Sequence, residues 1–174
     1  HVLDDSILSK IKNINEAMNS DLPDGDVSRN VNWKLKKFEF SNMFSYGDNN
    51  TVDFTHMMGI MGLFAQNAAG KSSLLDALSF CLYDTSSRAF KASNVLNNKK
   101  NNFECKVNFE SAGVDYYIER KGKKLSNGSV KVNVNFYMRD ESGDVISLNG
   151  DQRRTTNINI KKIIGTFEDF ILTS

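Results

Sequence analysis

The sequence has one proline, one tryptophan and two cysteines in 174 residues. Nowhere does it hold a run approaching 18 apolar residues. The shortage of proline and the 40% hydrophobic content exclude a collagen-like or wholly disordered chain. The absence of a long apolar run excludes a membrane-spanning helix. Two cysteines are too few for a disulfide framework, and Cys81 and Cys105 fit no metal spacing, so they read as buried thiols of a reducing compartment. The first residues, His1 to Asn13, lack a basic start followed by an apolar stretch, which argues against a secretory signal. They also lack an initiator methionine, as an excised or processed piece would.

Charge of one sign is missing too. The formal net charge is +1. That value hides an asymmetry: Arg88 to Arg139 holds 11 Lys+Arg against 4 Asp+Glu, a local +7. Such a middle suits either a solvated face or contact with a polyanion.

What is present begins with Asp4-Asp5-Ser6 ahead of Ile7, Leu8, Ile11, Ile14 and Met18. This spacing predicts an amphipathic helix with acidic capping residues. Asp21 to Asn32, with Pro23 and Gly25, reads as a linker. Residues 1–30 are thus a helix and linker, and 31–174 form one globular unit.

Trp33 to Phe40 and Thr51 to Phe54 read as strands, the first slipping in alternation near Lys36-Lys37. Gly59 to Phe64 is short and apolar on both faces, as a buried strand would be. Lys71 to Tyr83 reads as a helix with Leu74, Leu78 and Leu82 in one stripe, widened by Leu75 and Cys81. The period then becomes two. Phe103, Cys105, Val107 and Phe109 alternate, then Val114, Tyr116 and Ile118, then Val130 to Met138, and Val145 to Leu148 runs back. Thr155 to Phe170 returns to helical spacing, interrupted by Gly165.

Between the expected buried strand and helix lies Ala65-Gln66-Asn67-Ala68-Ala69-Gly70-Lys71-Ser72-Ser73. A strand, a turn-prone loop, Gly-Lys-Ser and a helix occur in the order a phosphate-binding loop requires. Backbone N–H groups and the helix dipole favour an anion there. Lys71 can reach the β- and γ-phosphates, and the Ser72 hydroxyl can ligate Mg²⁺. An Ala-rich turn before a helix with a surface lysine is the plain alternative. The general pattern G-x-x-x-x-G-K-[ST] has Ala65 in place of its first glycine.

This stretch, with Leu74-Leu75-Asp76-Ala77-Leu78 after it, resembles the amino-terminal half of the ATP-binding-cassette heads of SMC-like and SbcC-type DNA-repair ATPases. The large subunits of phage recombination endonucleases belong to this group. Phe38 to Gly47 looks like their first strand and the nucleotide-proximal turn, Tyr116 to Arg120 like their edge hairpin, and Phe167 to Ser174 like the approach to their metal-bridging glutamine. The resemblance covers about Trp33 to Ser174. It implies an α/β P-loop NTPase lobe, with a mixed sheet around the loop helix and an antiparallel hairpin subdomain beside it. It implies ATP and Mg²⁺ as cofactors, with Ser45, Asn67, Ala68, Ala69, Gly70, Lys71, Ser72 and Ser73 at the nucleotide. Lys71 would be the catalytic lysine and Ser72 the metal ligand.

The implied partners are duplex DNA, an SbcD-type nuclease subunit, the carboxy-terminal lobe of the same ATPase and a second head, with no membrane. The implied compartment is the cytoplasm or nucleoid, or host cytoplasm for a viral protein. Four departures stand out: Ala65 and Ala68 replace loop glycines, Phe44 replaces a common basic residue, the glutamine lies beyond the chain, and the second half is absent. Hydrolysis would therefore require the other lobe and a second head, because the water-orienting glutamate and signature loop come from them. Asp76 and Asp84 read as solvated helix residues rather than bases. Lys121, Lys123 and Lys124, near Asn127-Gly128, form a basic hairpin end that would touch DNA phosphates or solvent alone. Rival readings are an SMC-like chromosome-organising module using ATP as an assembly ligand, and a P-loop small-molecule kinase. The hairpins from Phe103 to Leu148 disfavour the kinase, which would continue in βα units.

Overall fold

The computed structural model describes residues 33–57, 62–67, 69–89, 91–140 and 142–173. The helix and linker expected over residues 1–30 lie outside the described residues. The elements run β1 (Trp33–Ser41), β2 (Asn50–Asp53), α1 (Lys71–Tyr83), α2 (Ala92–Val95), β3 (Asn102–Ser111), β4 (Val114–Lys124), β5 (Val130–Arg139), β6 (Val145–Ser147), α3 (Arg153–Ile164) and α4 (Phe167–Thr173).

Among the described residues the strands form one six-stranded sheet in the order β2-β1-β3-β4-β5-β6. Each neighbouring pair in it is antiparallel. The α/β architecture and the antiparallel hairpins agree with the sequence, whereas the expected mixed sheet has no parallel pair among the described residues. Among the described residues the hairpins continue the same sheet, because β3 pairs with β1 on one side and β4 on the other. No βα unit with a parallel strand follows the loop helix among the described residues, which removes the support a kinase reading would need.

The slip near Lys36 is a bulge. The β1–β3 register shifts between Leu35 and Lys37, and the Lys36 carbonyl accepts the Phe54 N–H instead at 2.8 Å.

Alternation on β3, β4 and β5 places Phe103, Val107, Phe109, Ile118 and Phe136 on one face, all almost fully buried. Helix α1 lies on that face, with Ala77, Phe80, Cys81 and Leu82 in the same core. Each buried aromatic or aliphatic side chain contributes about 1.5–3 kcal/mol of transfer free energy. Phe103 lies across Gly122, where an added Cβ would come within 2.1 Å of its ring. The strand can cross this ring only without a side chain.

Two expectations about apolar segments fail. Helix α1 is buried from Asp76 through Tyr83 rather than along one stripe. Leu75, expected inside, is 60% exposed. The helix is enclosed on several sides after its first turn, so burial follows depth rather than face. The strand expected over Gly59–Phe64 is absent where it is described: Gly62 to Phe64 is irregular, and Phe64 is 93% exposed. No distant segment among the described residues covers this run, and Leu63 is exposed as well. Residues 59–61 lie outside the described residues.

Candidate phosphate-binding site

The site is built where two turns meet. The turn after β1 holds Asn42 and Phe44 at positive φ, 61° and 50°. It is fastened by Asn42 N–H to the Gly47 carbonyl (2.8 Å) and by Phe44 N–H to the Val95 carbonyl (2.7 Å). This brings Ser45 and Tyr46 against Gly70. The Tyr46 hydroxyl donates to the Gly70 carbonyl at 3.1 Å, and Asn97 Nδ2 donates to the Tyr46 carbonyl at 3.0 Å.

Gly70 caps α1 with φ 97° and ψ 10°. Glycine is required twice over. The conformation is left-handed, and a Cβ would sit 3.1 Å from Ser45 Oγ and 3.4 Å from the Tyr46 hydroxyl oxygen. The helix then starts with the Leu74 N–H on the Gly70 carbonyl at 3.0 Å. No side chain caps it and its first turn carries no acidic residue. The orphan N–H groups and the positive end of the dipole are therefore left uncompensated by the protein's own side chains.

Lys71 folds back over the loop. Its Nζ donates to the Ala65 carbonyl at 2.5 Å and the Gln66 carbonyl at 2.9 Å. The Ala69 N–H closes a turn on Gln66 at 3.2 Å. Asn67, Ala69 and Ser72 are exposed, while Gly70, Lys71 and Ser73 are half-buried. Ala68 lies outside the described residues. The structure thus gathers Ser45, Gly70 and Lys71 at one helix end, with Ser72 and Ser73 in the first turn.

Asp76 corrects an expectation. It is 4% exposed, not solvated. Its carboxylate is ion-paired with Arg88 and accepts from Ser87 Oγ at 2.9 Å. Arg88 also reaches Ser73 Oγ at 3.5 Å. Asp76 braces the segment after α1 behind the loop. Asp84, also expected in solvent, is a hub at the far end of α1. It accepts from Arg153 Nε (2.8 Å) and Asn157 Nδ2 (2.8 Å) and lies 3.4 Å from Arg120 Nη1. Arg120 itself is fully buried and donates to the Cys81 and Leu82 carbonyls at 2.8 and 3.2 Å. Burial lowers its pKa, and the Asp84 carboxylate opposes that shift. Sequence reasoning missed this hub, although Arg120 at an inward position of β4's alternation was a usable signal.

The three basic candidates sit on β4, before the hairpin tip. Lys121 lies 3.7 Å from Glu104 and is well exposed. Lys123 and Lys124 are exposed at the strand's end. Register places Lys131 directly opposite Lys123, so Lys121, Lys123 and Lys131 share a face and Lys124 projects to the other. Lys131 was missed because only strand pairing puts it there.

A loop ending in Gly-Lys-Ser at an uncompensated helix N-terminus, packed on an α/β lobe, is the arrangement of the P-loop class of folds. A family model described as an AAA domain matches residues 37–171, and the chain belongs to that AAA-domain family. Its relatives include the uncharacterized protein R555 of Acanthamoeba polyphaga mimivirus, 38% identical over 148 residues, covering 81% of this chain and 11% of that protein. The SbcC component of the nuclease SbcCD of Bacillus subtilis (strain 168) is 26% identical over 135 residues, covering 74% and 12% respectively. The DNA double-strand break repair Rad50 ATPase of Sulfolobus acidocaldarius is 28% identical over 141 residues, covering 80% and 15%. The chain therefore spans 11–15% of the length of these relatives. Among solved structures, the recombination mediator protein RecF with ATP matches with a TM-score of 0.50 at 21% identity, over 70% of this chain and 30% of that one. That likeness concerns the fold. No helix among the described residues is long and apolar enough to cross a membrane.

Proposed function

We propose that the chain is the ATP- and Mg²⁺-binding amino-terminal lobe of an SbcC-like DNA-repair or recombination ATPase head. In the whole protein this lobe would join its carboxy-terminal lobe, and ATP would hold two heads together on duplex DNA beside an SbcD-type nuclease subunit. The observation that carries the reading is Gly70 in the left-handed conformation at the N-terminus of α1. Lys71 and Ser72 follow it, and Ser45 stands at its back.

The residues present fit such a nucleotide. Backbone N–H groups of Asn67, Ala68, Ala69 and Gly70 and of the first helical turn would hold phosphate oxygens, and the dipole would favour their charge. Lys71 would exchange its two carbonyl acceptors for phosphate oxygens, which bear full charge and bind an ammonium more strongly. The Ser72 hydroxyl would ligate Mg²⁺, and Ser45 and Ser73 would flank the bound group. The metal, when bound, would neutralise phosphate charge. Asp76 and Asp84, the carboxylates nearest downstream, are both committed to arginines. Neither is available to orient an attacking water, which supports hydrolysis that waits for another lobe and a second head.

Calorimetric titration with ATP and Mg²⁺ tests the assignment. The parent chain is expected to bind and Lys71→Ala to lose binding; unchanged affinity in the variant removes the phosphate-loop reading. Phosphate release by the chain alone is expected to be negligible, and turnover abolished by Lys71→Ala would show a complete active site instead. For DNA, neutralising Lys121, Lys123 and Lys124 is expected to weaken duplex binding equally for unrelated sequences. It should flatten the log–log salt slope by up to about 0.9 per lost phosphate contact. An unchanged slope returns these lysines to solvent.

A further inference from the structure

At the end of α1 opposite the phosphate loop, Tyr83, Asp84, Arg153, Arg154, Asn157, Ile158 and Lys161 line an open cleft of about 620 Å³. Its α3 wall has a definite composition. Arg154, Ile158 and Lys161 are spaced i, i+4 and i+7, so they share one face of the helix. Ile158 is 46% exposed, an apolar residue between two cations. Arg153 is engaged by Asp84, but Arg154 and Lys161 have no ion-pair partner among the described residues. The Tyr83 hydroxyl, buried at the floor, has no hydrogen-bond partner among them. A buried hydroxyl without a partner costs about 1–3 kcal/mol, so it marks a position that a further polar group would stabilise.

The occupant is indicated by charge and by where the chain arrives. Strand β1 begins at Trp33, whose Nε1 donates to the carbonyl of Ile164 at the end of α3, 3.2 Å away. Trp33 stacks on Phe170 at 6.5 Å, and Phe170 packs on Tyr83 at 5.4 Å. Trp33, the first described residue, therefore lies two rings from Tyr83. That segment carries Asp4, Asp5, Glu16, Asp21, Asp24 and Asp26 against Lys10 and Lys12 between residues 4 and 26. Its stripe of Ile7, Leu8, Ile11, Ile14 and Met18 would be marginal as a free helix and gains stability only by burial. Asp26 lies seven residues before Trp33, a span of at most about 25 Å. Helix α3 has 12 residues and a length of about 18 Å. The acidic stretch therefore reaches every turn of α3. Of the other exposed apolar residues, Leu63, Phe64 and Leu75 lie at the opposite end of α1, about 20 Å away along the helix, beside one lysine already held by carbonyls, and Leu125, Val145 and Ile146 lie on the hairpins.

We propose that this cleft seats the acidic amphipathic segment 4–26 of the same chain, its apolar stripe over Ile158 and its carboxylates on Arg154 and Lys161. The segment would close the end of the lobe away from the nucleotide and cover the Tyr83 hydroxyl.

Zero-length carbodiimide coupling of the full chain, followed by peptide mass analysis, tests it. The expected product is an amide between Lys161 or the neighbouring Lys162 and a carboxylate within residues 4–26, in a species of monomer mass. The same amide found only in a species of dimer mass would assign the cleft to a second copy and overturn the proposal. Coupling of those carboxylates only to lysines elsewhere, or no coupling, overturns it as well. The double variant Ile158→Asp, Lys161→Glu alters only exposed side chains and should leave the fold intact. It is expected to speed limited proteolysis within residues 1–32 by about tenfold, as a shift in the docked population would. An unchanged cleavage rate overturns the proposal independently.

Discussion

The two ends of α1 are made by opposite means. At its N-terminus the helix begins on a glycine at φ 97°, without a capping side chain or an acidic first turn. Its donors face outward and its lysine rests on nearby loop carbonyls. At its C-terminus the Cys81 and Leu82 carbonyls are met by a fully buried guanidinium, and Asp84 gathers Arg120, Arg153 and Asn157 around the final turn. One end is left electrostatically open and the other is satisfied almost group by group. The difference separates an electrostatically open end from an anchoring end on one helix. Polar groups at the anchoring end are paired with partners distant in sequence, and those at the open end meet solvent or local contacts alone.

The comparison can be broken first at the closed end, where the largest effect is expected. Arg120→Ala would strand the Cys81 and Leu82 carbonyls in the interior, while Asp84 keeps Arg153 and Asn157. Each buried acceptor left without its donor costs about 1–3 kcal/mol, read as a lower urea midpoint. A midpoint within error of the parent would mean that the hub is ornamental. Gly70→Ala attacks the open end. Forcing a side chain into the left-handed region costs about 1–2 kcal/mol. Its Cβ would also press on Ser45 and Tyr46, so stability and nucleotide binding should fall together. Lys71→Ala should change stability by less than about 0.5 kcal/mol while binding is lost. That dissociation of stability from binding is the sharpest form of the contrast, and an equal loss of both would erase it.

The smallest effect is expected away from both ends, on the outer sheet face. Burial opposes ionisation of Glu119, but hydrogen bonds from Lys106 and Tyr137 hold its pKa below the ordinary carboxylate value. A group with a lowered folded pKa adds stability above its unfolded pKa of about 4.3, and that stability is lost as pH falls through the folded value. Glu119→Gln should therefore flatten the acid side of the stability profile slightly and leave the neutral side's slope unchanged. A steeper acid limb in the variant would contradict the sign.

The local elements were legible because their causes are local. Two-residue alternation exposed β3, β4 and β5, and the Gly70-Lys71-Ser72 order marked the helix start at Lys71. The bulge near Lys36 was visible as a slip in alternation. The failures share one physical origin. Gly62 to Phe64 has the composition of a buried strand, but burial depends on what distant segments cover it, and Leu63 and Phe64 are left exposed. Asp76 and Asp84 look like surface carboxylates until Arg88, Arg120 and Arg153, brought from 12 to 69 positions away, close around them. Lys131 joins Lys121 and Lys123 only through strand register.

The sequence by itself thus determined most of the described helices and strands, the Gly-Lys-Ser turn that opens α1 and the family the chain resembles. Periodicity, glycine placement and short motifs act over a few residues. The tertiary structure alone decided that the hairpins extend a single antiparallel sheet and that Ser45 and Tyr46 stand behind Gly70. It also decided that the far end of α1 is locked by a buried arginine. Each of these depends on partners distant in sequence, whose pairing is set by packing and charge compensation in three dimensions.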